Sequence, residues 1–256
     1  MTVESLVGAN LRKSLERSPL QLFIRRLSSH SHLTDGDREA ILNLTSESET
    51  VSSHRDIVQP GQVVTKACYV VDGLVGRYDQ MRDGRRQITA LHLPGDMCDL
   101  HSVVLPRARW SLTAVSRVQL LRIPHEEIKS LADASPRLGM AFWRDTAVNA
   151  AIIAKWFANL GRKDAGSRMA HLFCEMGIRL EVAGLGTRIS YPFRIIQQDL
   201  ADVAGITAVH LNRTLQALRE SGLVEFRDGR VTIPDWQQLV RRADFDPTYL
   251  LQGTHS

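Results

Sequence analysis

Five residues on one stretch of the chain carry side chains suited to reading the edges of nucleic-acid bases. Between Gln197 and Gly222 the sequence runs QQDLADVAGITAVHLNRTLQALRESG, and Val209, His210, Asn212, Arg213 and Gln216 fall on or beside one side of its helical period. A small apolar group, two amides, an imidazole and a guanidinium match the major groove, where each base pair shows its own pattern of donors, acceptors and methyl groups. Thr207, Gln197 and Gln198 stand near expected helix starts, where backbone donors and polar side chains meet phosphate. A plain helical hairpin with a solvated face would show the same period. The elements around the stripe separate the two readings.

Other constellations are thinner. Cys98 and His101 stand three apart with His92 nearby, and thiolate plus imidazole is a pair able to bind haem iron or zinc. More often such residues are a small buried hydrophobe and a partly exposed ring. Cys174 likewise reads as core. A metal-dependent barrel enzyme would need His-x-His among the strands, whereas His30-Ser31-His32 lies outside them. No Ser/His/Asp or Cys/His grouping has supporting context, so the chain is not expected to be an enzyme, and no metal or cofactor is assigned to it.

The elements that must position the stripe are legible. Leu200, Val203 and Ala204 give a first helix an apolar side, and Gly205 sits where that helix must stop in a left-handed turn. Thr207 is placed to cap a second helix, on which Leu211, Leu215 and Leu218 face inward. Two short alternating runs follow, Leu223 to Phe226 and Arg230 to Ile233, joined by Arg227-Asp228-Gly229, and Asp-Gly is a strong hairpin signal. This hairpin forms a wing that brings Arg227 and Arg230 to phosphate, and Pro234-Asp235 opens a last helix from Trp236 to Arg242. The pattern is a winged helix-turn-helix.

Upstream, Asn159 to Asp164 and Arg168-Met169-Ala170-His171 precede the winged helix. The strand-rich region before them holds Pro60-Gly61, Val70-Val71-Asp72-Gly73 and Pro94-Gly95-Asp96. With these residues the chain resembles the CRP/FNR family of bacterial transcription regulators from about Leu33 to Leu250. The resemblance implies an α+β fold: an N-terminal double-stranded β-roll like a cyclic-nucleotide-binding domain, a long dimerisation helix, and a C-terminal winged helix-turn-helix. It implies a homodimer that regulates transcription at palindromic promoter sites on double-stranded DNA, with RNA polymerase as protein partner. Arg213 stands where the family's recognition helix carries an arginine that reads a guanine. Ala208 and Val209 replace the Arg-Glu pair of the cyclic-AMP receptor, so a different half-site is expected, with Val209 suited to a thymine methyl. Ile196 stands where relatives often have a capping threonine.

The effector cassette departs from that pattern. Cyclic-nucleotide binders of the family carry Gly-Glu-Leu and, further on, Arg-Ser; here Cys98-Asp99-Leu100 and Ala108-Arg109 stand in their places. The possible effector pocket is therefore Cys98, Asp99, Leu100, His101, Arg107 and Arg109, and gating by cyclic AMP is not expected. The alternative is gating by another small ligand, haem or a redox signal. No cysteine precedes Cys68, so the oxygen-sensing branch's cluster lacks its ligands.

Organisation and composition complete the reading. Residues 1–32 form an extension with an amphipathic helix near Leu20 to Leu27, 33–134 the β-roll, 135–160 the dimerisation helix, and 161–250 the DNA-binding domain. Glycines at 61, 73, 84 and 95 punctuate the strands. On the long helix, Leu138, Phe142, Asp145, Asn149, Ile152 and Trp156 recur at four and three, the spacing of a coiled-coil seam. Leu138, Phe142, Asn149, Ile152 and Trp156 are accordingly the expected dimer contacts, while Trp143, Ala147, Ala150, Ala154 and Phe157 are expected to pack on the roll. At 256 residues, 43% hydrophobic, with formal charge +4 and pI near 9.2, the chain suits two cored domains and is mildly basic. Basic clusters near Arg12, Lys13, Arg17, Arg25 and Arg26, and at Arg82, Arg85 and Arg86, read as solvated faces. Three cysteines without a CxxC pair, no signal-like N-terminus and no membrane-length apolar run point to the cytoplasm.

Overall fold

Short alternating strands from Glu47 to Pro124 close into a roll of two antiparallel sheets in the computed structural model, which describes residues 18–250. One sheet orders as β1 (Glu47–Val51), β7 (Val118–Pro124) and β3 (Lys66–Asp72). The other orders as β2 (Asp56–Val58), β6 (Ser111–Ala114), β4 (Val75–Gln80) and β5 (Arg86–His92). Val58, Val70, Val75, Leu112, Val118 and Leu120 fill the space between them together with Cys68 and Cys98. Helices α1 (Gln21–Ser28) and α2 (Asp35–Leu42) precede the roll, and α3 (His125–Ala134) follows it. Thr34 and Asp37 form a reciprocal capping box that starts α2. Arg12, Lys13 and Arg17 lie outside the described residues.

Helix α4 (Pro136–Arg162) runs for 27 residues. Ser135 accepts from the Leu138 N–H, and Pro136 occupies the first turn, where a missing N–H costs nothing. It is the spine of the molecule. Its first half gives Leu138, Ala141 and Phe142 to a cluster with Phe23, Ile24, Leu27, Tyr69 and Ile123. Its second half gives Val148, Ile152 and Trp156 to a second cluster. That cluster joins Leu74, Tyr78, Ile88, Leu91 and Leu93 of the roll to the core of the C-terminal domain. A continuous apolar seam of this kind ties the domains together more firmly than a polar interface would.

The long helix therefore presents the opposite face from the one its spacing suggested. Leu138, Phe142, Ile152 and Trp156, expected to meet a second chain, are at most 8% exposed inside this one. Asp145, the polar member of that stripe, is fully buried, and Asn149 bonds with Arg26 and Asp145 instead of crossing a dimer axis. The neighbouring stripe, expected on the roll, faces solvent: Trp143 is 70% and Phe157 78% exposed. Two apolar faces share the same spacing, and the fold's own helices cover the one with more volume. Arg26 is not part of a solvated run either, because it pairs with Asp96 and Asp145 inside the molecule, whereas Arg25 is exposed and its Nη1 donates to the Ala183 carbonyl.

After α4 come α5 (Ala165–Ala183), β8 (Ser190–Pro192), α6 (Gln197–Ala204), α7 (Ala208–Glu220), β9 (Glu225–Arg227), β10 (Arg230–Thr232) and α8 (Trp236–Ala243). Asp164 caps α5 by accepting from the Ser167 N–H. Because Ile152 is packed inside the chain, Ile152→Ala should lower unfolding free energy by about 2–5 kcal/mol through lost burial and a cavity. Denaturant titration checks this, and a change below about 0.5 kcal/mol would mean that the face is free.

Candidate nucleic-acid interface

The helix-turn-helix forms because its turn obeys local rules. Gly205 ends α6 at φ 64°, a left-handed conformation that glycine adopts without strain. Thr207 then caps α7, its hydroxyl accepting from the His210 N–H at 3.2 Å. Ile196, at the N-cap of α6, makes no side-chain cap. Leu211 and Leu218 are buried on α7 with Leu200, Ala201 and Val203 of α6, and Leu215 packs against the same cluster, which fixes the two helices together. Thr214 turns inward and bonds the His210 carbonyl.

What remains outward is the expected set. Val209 is 64% exposed, and His210, Asn212, Arg213 and Gln216 are exposed beside it. Gln197 of α6 lines one cleft together with Asn212, Gln216 and Arg219 of α7 and Phe226 of β9. Gln198 and Thr207 line a second cleft with the tip of the β4–β5 hairpin. Sequence reading missed Arg219, which lies a turn beyond the stripe it used.

The wing has three strands, in the order β8-β10-β9. Arg230 pairs with Arg227 on one side and Pro192 on the other. Asp228 (φ 51°) and Gly229 (φ 68°) make the tight turn that Asp-Gly announced. Arg227 and Arg230 are exposed, with Arg230 Nη1 donating to Ser190 Oγ at 3.2 Å. Arg194, not singled out from sequence, is exposed and lies against Gly229, adding a third guanidinium at the wing. Strand β8 was also missed, since a three-residue run shows no alternation.

The roll grips the back of this unit. Arg86 Nη2 reaches Asp199 Oδ1 at 2.9 Å and Asp202 Oδ2 at 3.1 Å, and His54 Nε2 lies 2.9 Å from Asp199 Oδ2. Gln87 Nε2 donates to the Asp202 and Val203 carbonyls at 2.8 and 3.2 Å, satisfying groups that the end of α6 leaves open. These bonds leave the outward stripe of α7 untouched.

The expected effector pocket does not assemble. Cys98 and Asp99 are buried in the roll, with Asp99 Oδ1 accepting from the Cys68 N–H at 2.7 Å. Burial pushes the Asp99 carboxyl up to about 6, against the Cys68 N–H and the positive Arg122 and Arg77. Burial also pushes the Cys98 thiol well up. Leu100 and His101 lie on a 3₁₀ turn, Leu100–Val103, bordering a groove of about 580 Å³ against α3 and α4. The His101 imidazole is lowered to about 4 by burial and by Arg77. Arg107 and Arg109 are exposed, and Arg107 Nη1 donates to the Gly61 carbonyl rather than turning inward. The cation inside is Arg77, unmarked in the sequence. Its guanidinium donates to the Cys98 carbonyl at 3.3 Å and lies 4.6 Å from the Trp110 ring centre. Cys174 is buried in the core. Among the described residues, no three His, Cys, Asp or Glu are grouped to hold a metal ion, and no helix is long and apolar enough to cross a membrane.

A β-roll joined through a long helix to a winged helix-turn-helix defines a DNA-binding regulator. Protein-family models agree on both parts: a cyclic nucleotide-binding domain matches residues 48–135 and a Crp-like helix-turn-helix domain residues 167–242. The chain belongs to the CRP/FNR family of transcription regulators. It is 29% identical to the nitrogen fixation regulation protein FixK of Azorhizobium caulinodans, over 74% of this chain and 75% of that one. It is 21% identical to the transcriptional activator protein FnrL of Cereibacter sphaeroides, over 83% and 86%. The solved structure of FixK2 from Bradyrhizobium japonicum superposes with a TM-score of 0.69 at 25% identity, covering 77% of this chain and 97% of that one. Neither matched domain is a catalytic one.

Arg213 faces outward, so Arg213→Ala should leave the fold intact. Specific DNA affinity should fall by about 1–3 kcal/mol, with preference relaxed mainly at one base position per half-site. Binding to specific and random duplexes, titrated at one salt concentration, decides the point. Equal loss on both would reduce Arg213 to a phosphate contact.

Proposed function

We propose that this regulator acts as a homodimer on palindromic promoter DNA and that it needs no cyclic nucleotide to do so. The observation that carries the dimer is the free face of α4. Met140, Trp143, Ala147, Ala150, Ala154, Phe157 and Gly161 recur at three and four, all apolar or small, and all are exposed in the single chain. The stripe that sequence spacing assigned to the roll is thus the better candidate for the partner. Small residues at its centre let two backbones approach closely, and Trp143 and Phe157 supply contact area at its ends. The exposed Val104 lines one groove with Trp143 and extends the apolar surface beyond the helix. Two copies joined on a two-fold axis would set their recognition helices into successive major grooves, about one helical turn apart.

In this reading Arg213, His210, Val209 and Asn212 address bases, while Thr207, Gln197, Gln198, Arg227 and Arg230 address phosphates. RNA polymerase is the protein partner at the promoter. Independence from cyclic nucleotide is supported by the chemistry of the roll. A cyclic phosphate needs a forked cation and a close backbone approach. Here the buried Cys98 stands where glycine would allow that approach, Arg107 is bonded to the Gly61 carbonyl, Arg109 is exposed, and Arg77 is already held by the Cys98 carbonyl and Trp110.

Ala150 lies at the middle of the free stripe and is exposed, so Ala150→Glu tests the face without disturbing the core. Two carboxylates would meet near the axis, unpaired and desolvated. Light scattering should show a folded monomer, and affinity for the palindromic site should fall to that of a half-site. A variant that stays a tight dimer would place the interface elsewhere.

A further inference from the structure

Helix α1 holds three parts of the chain at one point, and it lies outside both matched domains, which begin at residues 48 and 167. Leu20, Phe23, Ile24 and Leu27 are buried. Phe23 stacks on Phe142 of α4 at 6.1 Å and meets Tyr69 of β3 edge-on. Arg25 Nη1 donates to the Ala183 carbonyl at the end of α5. Leu22 approaches the Pro94-Gly95-Asp96 turn so closely that a Cβ at residue 95 would stand 3.0 Å from its own.

Between these contacts Arg26 enters a buried ionic chain. Its Nη1 donates to Asp96 Oδ1 at 2.6 Å, its Nε to Asp145 Oδ1 at 2.5 Å, and its Nη2 to Asn149 Oδ1 at 3.2 Å. The other Asp96 oxygen accepts from Arg179 Nη2 at 2.7 Å and from the Leu93 N–H at 2.8 Å. Arg179 belongs to α5 and also donates to the Leu91 carbonyl at 2.9 Å and to Glu175 at 3.0 Å. Glu175 in turn accepts from Trp156 Nε1 at 2.9 Å and the Tyr249 hydroxyl at 2.8 Å. The chain of bonds thus passes from α1 through the roll and the long helix into the DNA-binding domain.

We propose that Arg26 is a positioning residue for DNA recognition: by bridging Asp96 and Asp145 it aims Asp96 at Arg179 and so sets the angle at which each protomer presents its recognition helix. The inference rests on the dimeric reading above. Asp145 is fully buried, with Asn149 and, at 3.6 Å, the buried His30 Nε2 as further polar neighbours, so without Arg26 its charge would lose its guanidinium partner in an apolar interior. Asp96 would lose one of its two cations, and its Oδ1 would no longer be fixed, leaving the carboxylate held only on its Oδ2 side by Arg179 and the Leu93 N–H. Arg26 is remote from the outward stripe of α7, so any effect on DNA must travel through these partners. A rigid linkage raises the effective concentration of the second recognition helix only at the correctly spaced half-site, and a loosened one spreads it over several spacings.

The test uses the full chain and a duplex selected by it from a random pool, together with versions whose half-site spacing is changed by one and two base pairs. The wild type should lose roughly tenfold or more on each altered spacing. Arg26→Ala should remain a dimer by light scattering, bind the best spacing roughly tenfold more weakly, and discriminate spacings by no more than about twofold. Arg26→Lys, which keeps the charge but not the fork, should fall between them. Should Arg26→Ala fail to fold, Arg26→Met combined with Asp145→Met removes both charges at similar volume and takes the same measurement. Wild-type discrimination in these variants, or equal loss on every spacing, would overturn the positioning role alone. A wild type without spacing preference would overturn the dimeric reading and this inference with it.

Discussion

Two arginines, one buried and one half-buried, and three buried carboxylates decide how the parts of this protein sit together. Arg26 and Arg179 share Asp96 from opposite sides, and each holds a further acid, Asp145 or Glu175. Burial alone would push the Asp96 carboxyl up, yet the two guanidiniums hold it below the ordinary carboxylate range. Burial likewise opposes the charge on Arg26, and Asp145 and Asp96 restore it. Such a set is poorly tolerant of displacement, because any member that moves leaves an uncompensated charge in an apolar interior. Nearby apolar surface, from Leu91 and Leu93 of the roll to Ile152 and Trp156 of the long helix, supplies the adhesion, and the ionic chain supplies the alignment.

That alignment explains the division of labour on α4. One face is consumed by the chain's own roll, α1 and DNA-binding domain, which leaves the stripe from Met140 to Gly161 exposed, the face proposed above for a second copy. The grip of Arg86, Gln87 and His54 on α6 acts in the same sense, holding the helix-turn-helix from behind while Val209 and Arg213 stay clear. In the roll, the Arg77 guanidinium is already engaged by the Cys98 carbonyl and the Trp110 ring. The domains are set by contacts already present in the chain.

Local features were legible in the sequence and long-range ones were not. Gly205, Thr207 and the Asp228-Gly229 turn act through their own backbone, so the helix-turn-helix and its wing could be read residue by residue. The seam on α4 could not, because both of its stripes carry the same spacing of four and three, and periodicity says nothing about which is covered. The clue lay in Asp145 and Asn149, whose partner Arg26 stands 119 and 123 positions away in the chain. Arg26 itself looked like part of a solvated basic run, since a charge cluster betrays no burial until its acids are located. Arg77 was invisible for the same reason: its partners, Cys98 and Trp110, lie on other segments of the roll.

In the function proposed here, the DNA-binding arrangement is built into the chain rather than supplied by a nucleotide. Calorimetry of the purified protein with cyclic AMP, paired with operator titrations in its presence and absence, tests this most directly. No micromolar binding of the nucleotide is expected, and operator affinity should be the same with and without it. Micromolar binding that also tightens the operator complex would contradict the proposal.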